Sequence, residues 1–188
     1  MEKKYKLTAE TINVDGVTLY RIEALKDFGD IQKGDNGGFI EKEDNLSQEG
    51  DCWVYDAGKV YGKAYIHNDA RVYNNANVCG NARLSNNAAV YGNAVIYDNA
   101  VVCGNAKICG DALVSGTAKV CGGAWIYGKA NVSGNTRVYC NGEIYGNAVV
   151  YGNAEIYDNA RICGNALVYG NARVCNNAVV CGDMKFYC

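Results

Sequence analysis

From Val54 to Phe186 an aliphatic or aromatic residue recurs every six positions, twenty-three times, without a slip. Two residues ahead of each sits a small one, nearly always alanine, as at Ala64, Ala70, Ala76 and Ala82. Residues two apart in an extended segment share a face, so both slots point inward while the residue between them points out. That outer slot varies freely: Lys59, Arg83, Val101, Trp125 and Glu155 all occupy it. Gly-Asn, Asn-Asn or Asp-Asn follows, a pair that tolerates positive φ and turns a tight corner. Six residues thus give one short strand and one corner, and three such units close a triangular coil of eighteen residues. Helix is excluded, because Gly-Asn at every sixth position breaks any helical run. The expectation is an all-β solenoid of parallel strands, nearly eight coils long.

Proline is absent from the 188 residues, as expected where nearly every backbone N–H is needed by a ladder. Residues 1–51 read differently from 52–188. They hold 7 Lys/Arg against 12 Asp/Glu, while the remainder holds 11 against 8. KYKLTAETINV and VTLYRIEAL flank Asp15-Gly16 and predict a β-hairpin. Residues 28–51 are polar and acidic with spaced apolar residues at Ile31, Ile40 and Leu46, which predicts irregular first coils. The expected organisation is therefore a capping segment over 1–51 and a repeat solenoid over 52–188. The cap would cover an open edge of unpaired N–H and C=O groups. At the other end Met184 and Phe186 take the small and aliphatic slots, large enough to plug the base of the core.

No apolar run reaches membrane-spanning length and MEKKYKLTAE has no signal-peptide core, so the expected location is cytoplasmic, without a membrane partner. Seven of the ten cysteines (79, 103, 109, 121, 163, 175 and 181) share one slot with Tyr and Ser. Such interchange predicts free thiols, although Cys103 and Cys121, like Cys163 and Cys181, stand one coil apart. With no Cys-x-x-Cys and His67 as the sole histidine, neither a metal nor a cofactor is expected.

Outer residues eighteen apart form three columns. The first carries Val95, Leu113, Val149 and Leu167, interrupted by Asn131. An apolar stripe at coil spacing predicts an interface with a second copy or another protein. The second carries Arg83, Lys119, Arg137 and Arg173, a basic stripe flanked by tyrosines. It is a candidate polyanion site for single-stranded nucleic acid, weighed against a simple solvated face. Tyr55, Tyr73 and Tyr91, with Tyr127 and Tyr145 lower in the same column, predict stacked corner ladders.

The hexapeptide pattern resembles the left-handed parallel β-helix proteins of the hexapeptide-repeat superfamily. The left hand is implied by that resemblance, since general chirality rules favour right-handed crossovers. The stretch RIEALKDFGDIQKGDNGGFIEKEDNLSQEGDCWVYDAG, followed by repeated VYGNA and VCGNA, resembles more narrowly a family of phages and prophages whose members are often labelled putative transferases. No catalytic residue defines that narrower family. Acyltransferases of the superfamily usually bring a general-base histidine and a protruding loop. Here the register never breaks, and His67 lies in an outer slot with Ser85 and Cys103 as column neighbours. The expectation is a non-enzymatic interaction protein with no catalytic residues, engaging a host protein complex such as a CRISPR-type nuclease or assembling as a homo-oligomer. The alternatives are an acyltransferase with His67 as base, and a polymer-forming structural element.

Overall fold

Each V-x-G/N-N-A-x unit becomes one short strand and one tight corner. A computed structural model describes residues 2–188. Twenty-three short strands run from Trp53–Val54 to Lys185–Tyr187, one per hexapeptide. Until the last coil, strand residues pair in parallel with the residue eighteen ahead: Val95 with Leu113, Val101 with Lys119, Ala89 with Lys107. The strands sort into three sheets, the faces of a left-handed parallel β-helix of about eight turns. We call the face beginning at Lys59 the first, that beginning at Tyr65 the second and that beginning at Trp53 the third.

The corner chemistry explains how each bend is made. Once per unit a residue adopts φ between about 50° and 80°, and it is Gly, Asn or Asp almost throughout, as at Gly128 (71°) and Asn68 (59°). Cys140, at φ 56°, is the exception. Corner asparagines then join coil to coil: Asn135 Nδ2 donates to Asn153 Oδ1 at 3.0 Å, and Asn153 Nδ2 to Asn171 Oδ1 at 3.1 Å. Between the faces lies one continuous core of buried alanines and aliphatics, from Tyr5 to Val180. Where Thr136 replaces alanine, its buried hydroxyl donates to the Ser133 carbonyl at 2.7 Å, satisfying the one polar atom added.

Asp15 and Gly16, both at positive φ, turn a hairpin between β1 (Tyr5–Val14) and β2 (Val17–Ala24). The segment after it is more regular than the sequence suggests. Residues Asn36–Ile40 form β3, antiparallel to β2 and parallel to Lys59–Val60, so the hairpin continues the first face. Ile40 pairs with Val60 and Leu46 with Ile66, each twenty residues on, whereas Val54 pairs with Val72, eighteen on. Two extra residues between Leu46 and Val54 account for the difference and hide these coils from a strict period. The same segment wraps outward-pointing side chains. Trp53 is buried under Tyr5 and Phe28 in edge contacts of 6.1 and 5.3 Å, and Phe39 is buried under the Arg21 guanidinium at 4.4 Å. At the far end Met184 and Phe186 remain 49% and 41% exposed, so they only partly fill the position of a plug.

The cysteines depart from expectation. Cys103 and Cys121 are joined, as are Cys163 and Cys181, with Cα atoms 4.7 and 4.5 Å apart. Parallel stacking sets side chains of adjacent coils about 4.8 Å apart, inside the range a disulfide bridges. The other six are free.

Candidate functional site

The first face brings the predicted aliphatic stripe together. Val95 and Leu113 are direct neighbours, Asn131 follows, then Val149 and Leu167. All four aliphatics are half-buried by the residues around them. Asn131 sits in register between Leu113 and Val149, and its Oδ1 is buried without a hydrogen-bond partner. A flat sheet face of this kind offers apolar area and fixed spacing and carries no reactive group.

The second face brings Arg83, Lys119, Arg137 and Arg173 into one column, but with a counter-charge that changes its character. Glu155 lies between Arg137 and Arg173, accepting from Arg137 Nη1 at 3.4 Å and forming an ion pair with Arg173 Nε at 3.2 Å. Its carboxylate is only 21% exposed, against 61% and 71% for the two guanidinium side chains. Two of the four cations are therefore spoken for locally, although an exposed pair of this kind is worth no more than ~1 kcal/mol. Lys119 and Arg137 border a shallow groove of about 460 Å³ with Thr117, Asn135, Asn153 and Glu155. Glu155 was legible in the sequence as a member of the same column; only the side-chain reach showed that it holds both neighbours.

His67 stacks on Tyr65, ring centroids 5.0 Å apart and planes 15° apart. Both rings are presented on the outside of the coil. The tyrosine ladder forms in part: Tyr55 stacks on Tyr73 at 4.4 Å and Tyr127 on Tyr145 at 4.8 Å, while Tyr91 joins no stacked pair among the described residues; in a separate column Tyr139 stacks on Tyr157 at 5.0 Å. The Tyr91 phenol is pushed up to about 12 by burial and by its bond to the Cys109 thiol. Among the described residues no cluster of His, Cys, Asp or Glu is arranged to hold a metal, and no helix is long and apolar enough to cross a membrane.

Sequence reasoning passed over one site at the capped end. Lys4, 1% exposed, aims its Nζ at the carbonyls of Gly50 (3.1 Å) and Cys52 (3.0 Å), with Glu49 at 3.5 Å and the Cys52 thiol at 3.3 Å. The Phe28 ring faces it at 4.9 Å. Beside it the Tyr5 hydroxyl reaches the Leu46 carbonyl at 2.7 Å, and Gln48 Oε1 accepts from the Lys4 amide at 2.7 Å. Burial pulls the Lys4 amine below the ordinary lysine range and pushes the Cys52 thiol and Tyr5 phenol up. The one available signal was Cys52 itself, which stands in the inward slot that alanine fills elsewhere.

Two similarities to known proteins agree with this geometry. A family model described as the YdcK beta solenoid repeat matches residues 88–104, 160–172 and 168–182. A protein of Escherichia coli (strain K12) described as "Uncharacterized acetyltransferase YdcK" is 39% identical over 66 residues, covering 31% of this chain and 20% of the relative. The chain therefore spans about a fifth of the length of the curated relative it matches. The repeat match and the parallel coil together support a hexapeptide-repeat β-helix relationship.

Proposed function

We propose that this chain is a rigid, non-enzymatic binding prism whose first face packs against a protein surface, in the first instance a second copy of itself. The observation that carries the reading is the in-register alignment of Val95, Leu113, Val149 and Leu167 on one sheet. Apolar area aligned on a flat, pre-ordered face costs little entropy to dock, because the sheet is already fixed. The test is light scattering on the wild type and on the double variant Leu113→Lys plus Leu167→Lys. An oligomer that falls to monomer mass in the variant supports the reading; an unchanged mass rejects it. A narrower version, in which the partner is a host defence nuclease complex, draws on the sequence resemblance to phage and prophage proteins. Its test is inhibition of a purified effector nuclease by the purified chain, with the double variant as control. If the wild type leaves cleavage unchanged, that version falls.

A second reading is an acyltransferase, favoured by the 66-residue similarity to a protein whose description names an acetyltransferase. In it His67 acts as the base at a junction between subunits, with an acyl-CoA thioester as donor. Turnover of acyl-CoA by the wild type and its loss in His67→Ala would install this reading in place of the first. The stacked Tyr65–His67 pair leaves the imidazole edge on the surface, where a neighbouring subunit would have to complete the site.

A further inference from the structure

We propose that the Lys4–Cys52 pair is an oxidation site, at which hydrogen peroxide joins Lys4 Nζ to Cys52 Sγ as a sulfenamide. The two atoms lie 3.3 Å apart, with Nζ placed to donate to Sγ and both side chains buried. A buried thiol is ordinarily inert because nothing stabilises its thiolate. Here the amine beside it is a base, and burial has already weakened its hold on a proton. Lys4 thus serves as proton acceptor in one step and nucleophile in the next. Lys4 itself lines an open cleft of about 490 Å³, with Lys26, Phe28, Gln48, Glu49 and Asp51, so peroxide would approach the pair from the nitrogen side.

The chemistry balances. The amine takes the thiol proton, and the Cys52 thiolate attacks one peroxide oxygen. The O–O bond breaks, leaving Cys52 sulfenic acid and a hydroxide that recovers the proton from Lys4 as water. The neutral amine then attacks the sulfur, the S–O bond breaks, and the departing hydroxide takes a proton from nitrogen as a second water. Sulfur is oxidised by two electrons and one peroxide is reduced to two waters. The product ties the start of β1 to the first regular coil, across the two-residue insertion between Leu46 and Val54. It would fix the capped end of the prism covalently.

The experiment exposes the purified chain to hydrogen peroxide, quenches it, alkylates free thiols under denaturing conditions and maps the peptides by mass spectrometry. The expected product is a linked pair of peptides containing Lys4 and Cys52, lighter by two hydrogens than their sum and released by a thiol reductant. The wild-type denaturation midpoint should rise with peroxide. Cys52→Ala places in this slot the residue found at Ala64 and Ala70, so the coil is preserved; its midpoint should not respond. Recovery of Cys52 only as free thiol, sulfinic or sulfonic acid, or disulfide, with Lys4 unlinked, overturns the proposal. So does a peroxide response that survives in Cys52→Ala.

Discussion

Truncation of a single inward residue in mid-prism tests the core most directly. Ile126 is fully buried and stacked between Ile108 and Ile144 on the third face. Its sequence neighbour Trp125 points outward and is 39% exposed. Ile126→Ala removes three carbons, which at about 0.8 kcal/mol each amounts to ~2.4 kcal/mol of lost transfer free energy. The column cannot close the gap, because the rungs above and below are held at strand spacing by ladders on both edges. A cavity term therefore adds to the transfer term, within a range of ~2–5 kcal/mol for such truncations. Trp125→Ala removes a larger side chain, but one on the outer face that leaves no cavity, with a tilted contact to the Tyr127 ring at 4.7 Å and one weak bond, 3.4 Å from indole Nε1 to the Cys109 sulfur. Its cost should stay near ~1 kcal/mol. Equilibrium urea denaturation read by far-ultraviolet dichroism gives both values. Hydrogen exchange should show protection lost first in the coils around Ile126, since each coil touches only its neighbours. If Trp125→Ala costs as much as Ile126→Ala, the alternation of inward and outward residues does not carry the stability in the way argued.

Gly128→Val should destabilise by more than ~1 kcal/mol, because φ is 71° and a Cβ would lie 3.0 Å from the Gly146 amide nitrogen and carbonyl oxygen; Gly128→Asn should cost less, as asparagine holds this conformation at other corners, and urea midpoints rank the two. Alkaline titration followed by tyrosinate absorbance should show Tyr91 and Tyr157 ionising at about 12, the first through burial and the second chiefly through its bond to the Cys175 thiol. Tyr5 and Tyr55 are raised by burial as well, so the folded state keeps protons that the unfolded chain releases from about pH 10, and stability should fall as pH rises above that point. Lys4 acts in the opposite sense up to about 10.4, since its lowered value makes the folded state bind fewer protons, so the decline should show most clearly above that pH; a midpoint that holds constant well beyond it refutes the assignment. Glu155→Gln frees Arg137 and Arg173 and should lengthen retention on a heparin column at low salt, an effect that vanishes as salt is raised; unchanged retention means the second face does not attract polyanions at all.

The repeat by itself determined the greater part of this molecule. A six-residue period with a small residue two ahead of an aliphatic one leaves a single way to bury both, and Gly-Asn at each corner leaves a single way to turn. Sheet order, register and inward residues follow from those two local facts, which is why eighteen-residue spacing alone puts Val95, Leu113, Val149 and Leu167 on one face. The left hand of the coil is implied by the resemblance to hexapeptide-repeat β-helices and does not follow from the period. Tertiary structure decided what depends on reach and on broken periodicity. The two-residue insertion hid the coils of Ile40 and Leu46, because a period carries no information across a slip. Glu155 could be seen in its column but not seen to hold two arginines, since side-chain reach is not periodic. Cysteines one coil apart met because parallel stacking fixes their separation, whatever slot-sharing with Tyr and Ser suggested about tolerance. Lys4 is the extreme case: forty-eight residues from Cys52 in sequence, it is buried against that thiol only because the hairpin folds back over the end of the prism, a contact that no local pattern encodes.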